Sequence, residues 1–274
     1  MKKITAFIIA AALAAFLPAL AGCRDKTGAP APAPTIRPEI IYEKHPDVND
    51  PLKVGVPELS LPPMIVRDGG VLTGFEADLI AETAKRLGVS YEIVPLEPGT
   101  ERERLDDGDI DCVWGNMPDT GKQRLFYSMT DPYITIPQAI AVPEDSGIQS
   151  KSEIKSLAVI AFTPAETLAN ENKLGAGAAE IHTYKDCSDA FAQLESGGAD
   201  AVACDITVAL SMQKSGVKLR LLDEKAAEAR YSAAFSEREE KMRDAVNKVL
   251  KDIYSEGAAS ALSQKWLGAD YYVK

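Results

Sequence analysis

Several residue types that build catalytic and metal sites are scarce in this chain of 274 residues. It has two histidines and four cysteines, and no two cysteines stand at the short spacing of a zinc site. The sequence therefore predicts no metal, no cofactor and no histidine-based nucleophilic site. Basic residues are outnumbered, with 30 Lys and Arg against 41 Asp and Glu and a net charge of −11. Because so acidic a chain repels phosphate backbones, a nucleic-acid partner is not expected.

Only one stretch is apolar enough to enter a membrane, and it lies at the N-terminus. Residues 1–22 combine Lys2 and Lys3 with an apolar run and then small residues before Cys23, which is the pattern of an export signal. The segment LAGC at 20–23 resembles the lipobox of bacterial lipoproteins, where cleavage leaves Cys23 first and lipidated. An uncleaved helix over the same run is the alternative. The protein is thus expected in the cell envelope, in the periplasm or on the outer face of the cytoplasmic membrane.

The segment after the signal is rich in proline. Residues 27–38 read TGAPAPAPTIRP, so residues 23–50 are expected to form an extended tether between the lipid and the folded part. Three further cysteines, Cys112, Cys187 and Cys204, make an odd number for an oxidising compartment. One disulfide plus one thiol would fit, but Cys112 and Cys204 lie in strand-like apolar runs. We interpret these two as small buried apolar residues.

From residue 52 onwards, strand-like and helix-like segments alternate twice, which is typical of a parallel α/β sheet. The first set has strand candidates at 52–56, 91–95 and 110–114. Its helix repeats apolar residues at helical spacing up to Gly88, and Thr73 and Glu76 predict a capping box at its start. The second set comprises strands 157–162, 180–184 and 199–204 with helices 164–172, 188–195 and 206–215.

Two such sets in tandem indicate two lobes. Residues 51–139 and 232–274 are predicted to form lobe 1, and residues 140–231 lobe 2. The crossings lie near 136–142 and 231–235, and the long helical stretch after them would return to lobe 1. Two lobes joined by two crossings form a hinge.

Six short segments follow one another along residues 52–268 in the order LKVGV, GFEADLIAETAKRLGV, LDDGDIDCVWGNM, TDPY, LESGGADAVACD and LSQKWLG. Together they resemble the successive signatures of the amino-acid-type extracellular solute-binding proteins, family 3, the periplasmic binding proteins of ABC importers. The resemblance implies a type II periplasmic-binding-protein fold, in which two α/β lobes close over a small molecule. It also implies an ABC permease as partner, and ligand-binding loops beyond the carboxyl ends of the strands.

The resemblance assigns the ammonium end of such a ligand to Asp205. In amino-acid binders of this family, an acidic residue just after a strand of the second lobe pairs with the ligand ammonium, and Asp205 matches that position. A partly shielded carboxylate gains from such a charge-assisted hydrogen bond. The alternative is that Asp205 only caps the helix that follows.

The carboxylate end departs from the family pattern. The family has Thr-x-x-Arg, whose arginine forks onto the ligand carboxylate. Here Thr120 matches the threonine, but Gln123 stands at the arginine position and Arg124 comes one residue late. One residue on a helix is a rotation of ~100°, so either the helix has slid and Arg124 serves, or the clamp is absent. We interpret Thr120 itself as a helix N-cap.

Neighbouring positions depart in the same direction. Pro118 replaces a frequent hydroxyl residue and offers no backbone donor, while Thr163 to Glu166 replace a Gly-Ser/Thr-Thr segment. Leu61 stands where an aromatic residue commonly stacks on the ligand. Trp114 could supply that aromatic face or pack in the core.

The ammonium end is therefore kept and the carboxylate end altered, with Glu58 and Glu166 adding negative charge near the cleft. We predict a monomeric, lipid-anchored binding protein, not an enzyme, that captures an amino-acid-like or cationic solute for an ABC permease. The alternatives are a sensor or accessory binding protein without transport, and a carboxylate-dependent dehydratase or peptidoglycan lyase on the same fold. The predicted ligand-binding residues are Glu58, Leu61, Trp114, Asn116, Met117, Thr120, Gln123, Arg124, Thr163, Glu166 and Asp205.

Overall fold

The computed structural model describes residues 51–174, 180–223 and 227–271. The predicted export signal, Cys23 and the tether lie outside these residues. Within the described ranges, none of the helices combines the length and the apolar character that a membrane crossing needs.

The first lobe is built on a five-stranded mixed sheet. Its strands follow in the spatial order β4 (Tyr91–Leu96), β1 (Leu52–Pro57), β5 (Cys112–Val113), β13 (Ala234–Phe235) and β6 (Ser128–Met129). β4 and β5 lie parallel to β1, whereas β13 is antiparallel to β5 and β6. The core of this lobe also takes apolar residues from helices α1 (Phe75–Leu87), α6 (Glu240–Ser255) and α7 (Ala258–Leu267).

The second lobe is built on a six-stranded sheet. Its main path is β11 (Leu219–Leu221), β7 (Ile134–Pro143), β10 (Ala201–Asp205), β8 (Ser156–Ile160) and β9 (Glu180–Tyr184), and β12 (Ala227–Tyr231) also pairs with β7. β8, β9 and β10 are parallel, and β7 is antiparallel to β10. Its helices are α3 (Pro164–Asn170), α4 (Cys187–Ser196) and α5 (Ile206–Lys214).

The chain leaves the first sheet between β6 and β7 and re-enters it between β12 and β13. This connectivity confirms the predicted α/β class with two lobes and two crossings. The sheets are mixed rather than purely parallel, because the strands at the crossings run against their neighbours.

Several predicted elements have different bounds. The strand expected over 110–114 is reduced to β5, and the structure adds a hairpin of β2 (Val66–Asp68) and β3 (Val71–Thr73) and a short helix α2 (Glu101–Asp106). The helix expected after Thr120 is a single 3-10 turn, Gln123–Leu125. The C-terminal helical stretch is two helices, since Gly257 adopts a φ of 79° between them.

The three cysteines within the described residues lie in the cores of the two lobes. Cys112 and Cys204 are buried, which confirms their interpretation as small apolar residues. Cys187 and Cys204 are thiols, and burial raises the pKa of Cys187 to about 12.

The start of α1 corrects one local prediction. The capping box of Thr73 and Glu76 is wrong, because the residue before the helix is Gly74 and no side chain caps the helix. The amides of Phe75 and Glu76 instead donate to the carbonyl oxygens of Pro63 and Met64, each at 3.1 Å. These backbone acceptors satisfy donors that a helix N-terminus otherwise leaves open. The predicted end of the helix is confirmed, since Gly88 adopts the left-handed conformation.

We expect Gly74→Ala to destabilise the protein strongly. A Cβ at Gly74 would lie 2.6 Å from the carbonyl oxygen of Met64 and 2.8 Å from that of Pro63, and both oxygens belong to the backbone. The matched control is Gly70→Ala, because Gly70 also has a positive φ, 85° against 112° for Gly74, but open space around its Cβ position. Gly74 also has a ψ of −175°, a backbone region that is essentially restricted to glycine, so the difference between the two variants combines the backbone strain at Gly74 with the clash.

Urea unfolding measures this difference. Gly74→Ala should lose at least ~2 kcal/mol more of the free energy of unfolding than Gly70→Ala. Equal losses of the free energy of unfolding would contradict this expectation. They would show that the backbone at residues 63–64 can move away from the added Cβ without destabilising the protein.

Candidate functional site

A cavity of about 290 Å³ lies between the two lobes. The first lobe contributes the ends of β1 and β5 and the loop after β4, and the second lobe contributes the loop after β8 and the first turns of α3. The cavity therefore lies beyond the carboxyl ends of parallel strands, where open α/β sheets place their ligands.

The cavity brings together residues that the sequence predicted and residues that it missed. Five predicted residues line it, namely Asn116, Met117, Gln123, Thr163 and Glu166. Four lining residues with polar or aromatic side chains were not predicted, namely Glu101, Tyr127, Phe162 and Thr167. The position of Phe162 just after a strand could have identified it, whereas Glu101 belongs to a helix without a clear sequence pattern.

The remaining predicted residues lie elsewhere. Trp114 is fully buried in the core of the first lobe, with its ring centroid 5.8 Å from that of Tyr133, so of the two interpretations the structure shows core packing. Leu61 is buried among apolar residues of the second lobe. Glu58 is exposed and is not a lining residue of the cavity. Thr120 lines a neighbouring cavity of about 460 Å³.

Arg124 is held by its own lobe. Its Nε donates to Oδ1 of Asp119 at 2.5 Å, and its Nη2 donates to the carbonyl oxygen of Thr130 at 3.0 Å. The Asp119 side chain is only 3% exposed, and a buried carboxylate needs such a partner. The guanidinium is therefore committed to a structural ion pair and does not line the cavity between the lobes.

Gln123 occupies the cavity side of the same turn. Its backbone amide donates to Oγ1 of Thr120 at 3.1 Å. The predicted N-cap position is wrong, because the 3-10 turn begins after Lys122. The position that carries the family arginine thus presents a neutral carboxamide to the cavity. A carboxamide can donate a hydrogen bond to a carboxylate but cannot neutralise it.

The charge of the cavity is one-sided. Glu101 and Glu166 line it, and among the described residues around it none is Lys or Arg. The Glu166 carboxylate accepts a hydrogen bond from the amide of Phe162 at 2.8 Å. The backbone amide of Gly99 donates hydrogen bonds to both carboxylate oxygens of Glu101, at 3.1 Å to Oε1 and 3.0 Å to Oε2. Backbone amides hold both carboxylates in place but leave their negative charge uncompensated, which favours a cation.

Asp205 lies at the end of β10 and is bound by the strands of the crossings. The hydroxyl of Tyr231 donates to its two carboxylate oxygens at 2.7 Å and 2.8 Å, and Nε2 of Gln138 donates to Oδ1. Asp205 precedes α5, but its side chain makes no capping hydrogen bond. Burial raises its pKa to about 6, and the bonds from Gln138 and Tyr231 oppose that shift. It is not among the residues that line the cavity.

A second carboxylate is buried close to Asp205. Glu76 of α1 has no exposed surface, and the hydroxyl of Tyr133 donates to its oxygens at 2.9 Å and 3.1 Å. Burial raises its pKa to about 8, and the charge of Asp205 acts in the same direction. Glu76 is therefore largely protonated at neutral pH.

Glu76 should make the stability of the protein depend on pH. Its pKa in the folded state, about 8, exceeds the ordinary value of 4.5, so the folded protein holds a proton that the unfolded chain releases. The free energy of unfolding should therefore fall as pH rises from about 5 to about 8. Glu76→Gln cannot ionise and can still accept from Tyr133, so it should weaken this pH dependence and be more stable than the wild type at the upper end.

Urea unfolding across that pH range checks the expectation, with Glu58→Gln as the control because Glu58 is exposed. Asp205 contributes a slope of the same sign, so part of the dependence should persist. An unchanged pH profile for Glu76→Gln would contradict the raised pKa.

The chain is similar to proteins of known family. Residues 52–269 match the bacterial extracellular solute-binding proteins, family 3. Over 208 residues the chain is 29% identical to the L-cystine-binding protein TcyJ of Escherichia coli K12, covering 74% of this chain and 77% of that protein.

Two solved structures share the fold. The ancestral amino acid-binding protein AncCDT-1, a precursor of cyclohexadienyl dehydratase, is 29% identical with a TM-score of 0.71, covering 79% of this chain and 95% of that one. An ancestral arginine-binding protein bound to arginine is 28% identical with a TM-score of 0.71, covering 81% of this chain and 100% of that one. With the match over residues 52–269, these likenesses establish that the chain belongs to the bacterial extracellular solute-binding proteins, family 3.

Proposed function

We propose that this protein captures a small cationic solute, an amine related to the amino acids, in the cavity between its lobes and delivers it to an ABC permease. The observation that carries the proposal is the pairing of two carboxylates, Glu101 and Glu166, with a neutral Gln123 at the arginine position. An ammonium group entering this cavity would meet negative charge and hydrogen-bond acceptors, and such charge-assisted bonds are the stronger ones.

An ordinary α-amino acid fits this cavity less well. Its carboxylate would be placed beside Glu101 and Glu166, and the only side chain at the clamp position is the carboxamide of Gln123. A partly desolvated carboxylate without a cationic partner is costly. The same cavity accepts the corresponding decarboxylated amine without that cost.

The relatives support the class of ligand and the transport role. TcyJ is named for binding cystine, and the solved ancestral proteins are named for binding arginine or amino acids, all of which carry an ammonium group. Proteins of this kind work with an ABC permease, and we assign this chain the same partner. One of these relatives is described as a precursor of a dehydratase, which is an enzyme. Our proposal therefore includes that this protein binds the amine without converting it chemically.

The organisation of the chain fits this role. We propose an export signal over residues 1–22, lipid attachment at Cys23 and a tether over 23–50. Residues 51–139 with 232–274 would form one lobe and residues 140–231 the other, and a monomer would close about the crossings. The tether would let the folded part approach the permease while staying at the membrane.

The expected ligand preference can be measured by thermal unfolding of residues 24–274 with matched ligand pairs. Lysine is compared with cadaverine, and arginine with agmatine, since each amine lacks only the carboxylate. A ligand at 100 times its dissociation constant should add about 2.7 kcal/mol of stability. The amines should raise the melting temperature and the amino acids should raise it less, whereas stabilisation by the amino acids alone would overturn the proposal.

Two substitutions test whether the residue at position 123 sets the preference for amines over amino acids. Gln123→Arg should create the missing carboxylate clamp and shift the preference towards lysine and arginine. Arg124→Gln, at the adjacent position outside the cavity, should lower stability through loss of the Asp119 ion pair but leave the order of ligands unchanged.

A further inference from the structure

Phe162 has an unusual backbone conformation and an unusual exposure. Its φ is 60°, a left-handed value that is rare for a bulky residue without a specific reason. Its side chain is 52% exposed, although aromatic rings are normally among the more buried groups. The residue lies two positions after the end of β8, on the second-lobe wall of the cavity.

Two side chains of the cavity hold Phe162 in this conformation. Nδ2 of Asn116 donates to the carbonyl oxygen of Phe162 at 2.8 Å, and this bond joins the first lobe to the second. The amide of Phe162 donates to Oε2 of Glu166 at 2.8 Å. Strained conformations persist where the surroundings over-determine them, and they concentrate at ligand-binding elements. Because Asn116 belongs to the other lobe, any separation of the lobes at this point would break its hydrogen bond to Phe162.

The ring of Phe162 lies next to the first lobe. A Cβ added at Gly99 would lie 3.5 Å from Cε1 of Phe162, so the edge of the ring faces that wall of the cavity. Glu101 follows Gly99 and also lines the cavity. The aromatic ring is thus presented to the same space as the two carboxylates. A ring face attracts ammonium groups through its quadrupole, more strongly where water is excluded.

We propose that Phe162 is a specificity-determining residue, whose ring covers the bound ammonium group opposite Glu101 and Glu166, and that Asn116 positions it on closure. This inference rests on the proposed binding of a cationic solute and names its class: an alkylammonium compound with an aliphatic chain, recognised by charge and by an aromatic face. It replaces the stacking surface that Leu61 cannot provide, because that side chain is aliphatic and buried.

The first experiment measures the affinity of cadaverine by calorimetry, with 1,5-pentanediol as a neutral probe of the same chain length. Phe162→Leu keeps an apolar side chain but removes the ring face, and cadaverine affinity should fall about tenfold. The matched control is Phe126→Leu. Phe126 is an exposed aromatic residue, 43% exposed, and contacts Arg102 rather than the cavity, so its loss should leave the affinity unchanged. Pentanediol should not bind measurably to any of the three proteins.

The outcomes separate this inference from the function on which it rests. If cadaverine binds the wild type and Phe162→Leu equally well, the role of Phe162 is overturned and the function stands. If pentanediol binds as well as cadaverine, recognition of an alkylammonium group is overturned. If lysine binds and cadaverine does not, both this inference and the proposed preference for amines are overturned. If no amine or amino acid stabilises the wild type, the proposed function fails as well.

Asn116→Asp tests whether Asn116 positions Phe162 or only lines the cavity, because the two roles predict opposite changes in cadaverine affinity. Asn116 has a φ of 52°, and aspartate also tolerates this conformation, but a carboxylate cannot donate to the carbonyl of Phe162. If Asn116 merely lined the cavity, the added negative charge would strengthen cadaverine binding. We expect binding about five- to tenfold weaker, chiefly through faster dissociation from a less stable closed state.

A double-mutant cycle tests whether Asn116 affects cadaverine affinity through the ring of Phe162. If Asn116 acts through the ring, Asn116→Asp should change cadaverine affinity little in a protein that already carries Phe162→Leu. A purely structural role would lower affinity by the same factor in both backgrounds. Stronger binding by Asn116→Asp, or additive effects, would overturn the positioning role.

Discussion

The antiparallel pairing of β7 with β12 holds the site together, because these two strands carry both crossings between the lobes. Tyr231 ends β12 opposite Ile134, and its hydroxyl reaches Asp205 at the end of the central strand of the second lobe. One residue further on, the amide of Ser232 donates to the carbonyl oxygen of Met117 in a first-lobe loop that lines the cavity. A single ladder therefore sets the positions of both walls of the cleft, and any change in its register would move both at once.

The chemistry of the cleft depends on which of two adjacent residues faces it. Asp119 is buried beside the ladder, with its amide bound to the carbonyl oxygen of Arg230 at 2.7 Å. Its carboxylate requires a cation, and Arg124 supplies one. Once Arg124 is committed, Gln123 is left on the cavity side of the turn. The structural need of one buried carboxylate thus keeps the positive charge of Arg124 out of the cavity between the lobes, which is the basis of the proposed preference for amines.

Two kinds of carboxylate occur close to the cleft, and their surroundings differ. Glu76 and Asp205 are bound by tyrosine hydroxyls, with pKa values of about 8 and about 6 raised by burial. Glu101 and Glu166 accept hydrogen bonds from backbone amides at the cavity itself. The first pair stiffens the region where α1, β10 and the crossings meet. The second pair places negative charge at the cavity, which the ring of Phe162 also lines.

The sequence alone determined the two α/β lobes, the two crossings, the glycine that ends α1 and the buried cysteines, because these features depend on local periodicity and on backbone preferences of single residues. It also placed five cavity residues, since family signatures identify the loops at strand ends. Only the tertiary structure decided that Gln123 and not Arg124 lines the cavity, that Glu76 is buried instead of capping its helix, and that Phe162 lines the cavity together with Glu101 and Glu166. Each of these depends on partners far along the chain, as Asn116 and Phe162 show across 46 residues, and no local pattern encodes a contact made only when distant segments pack.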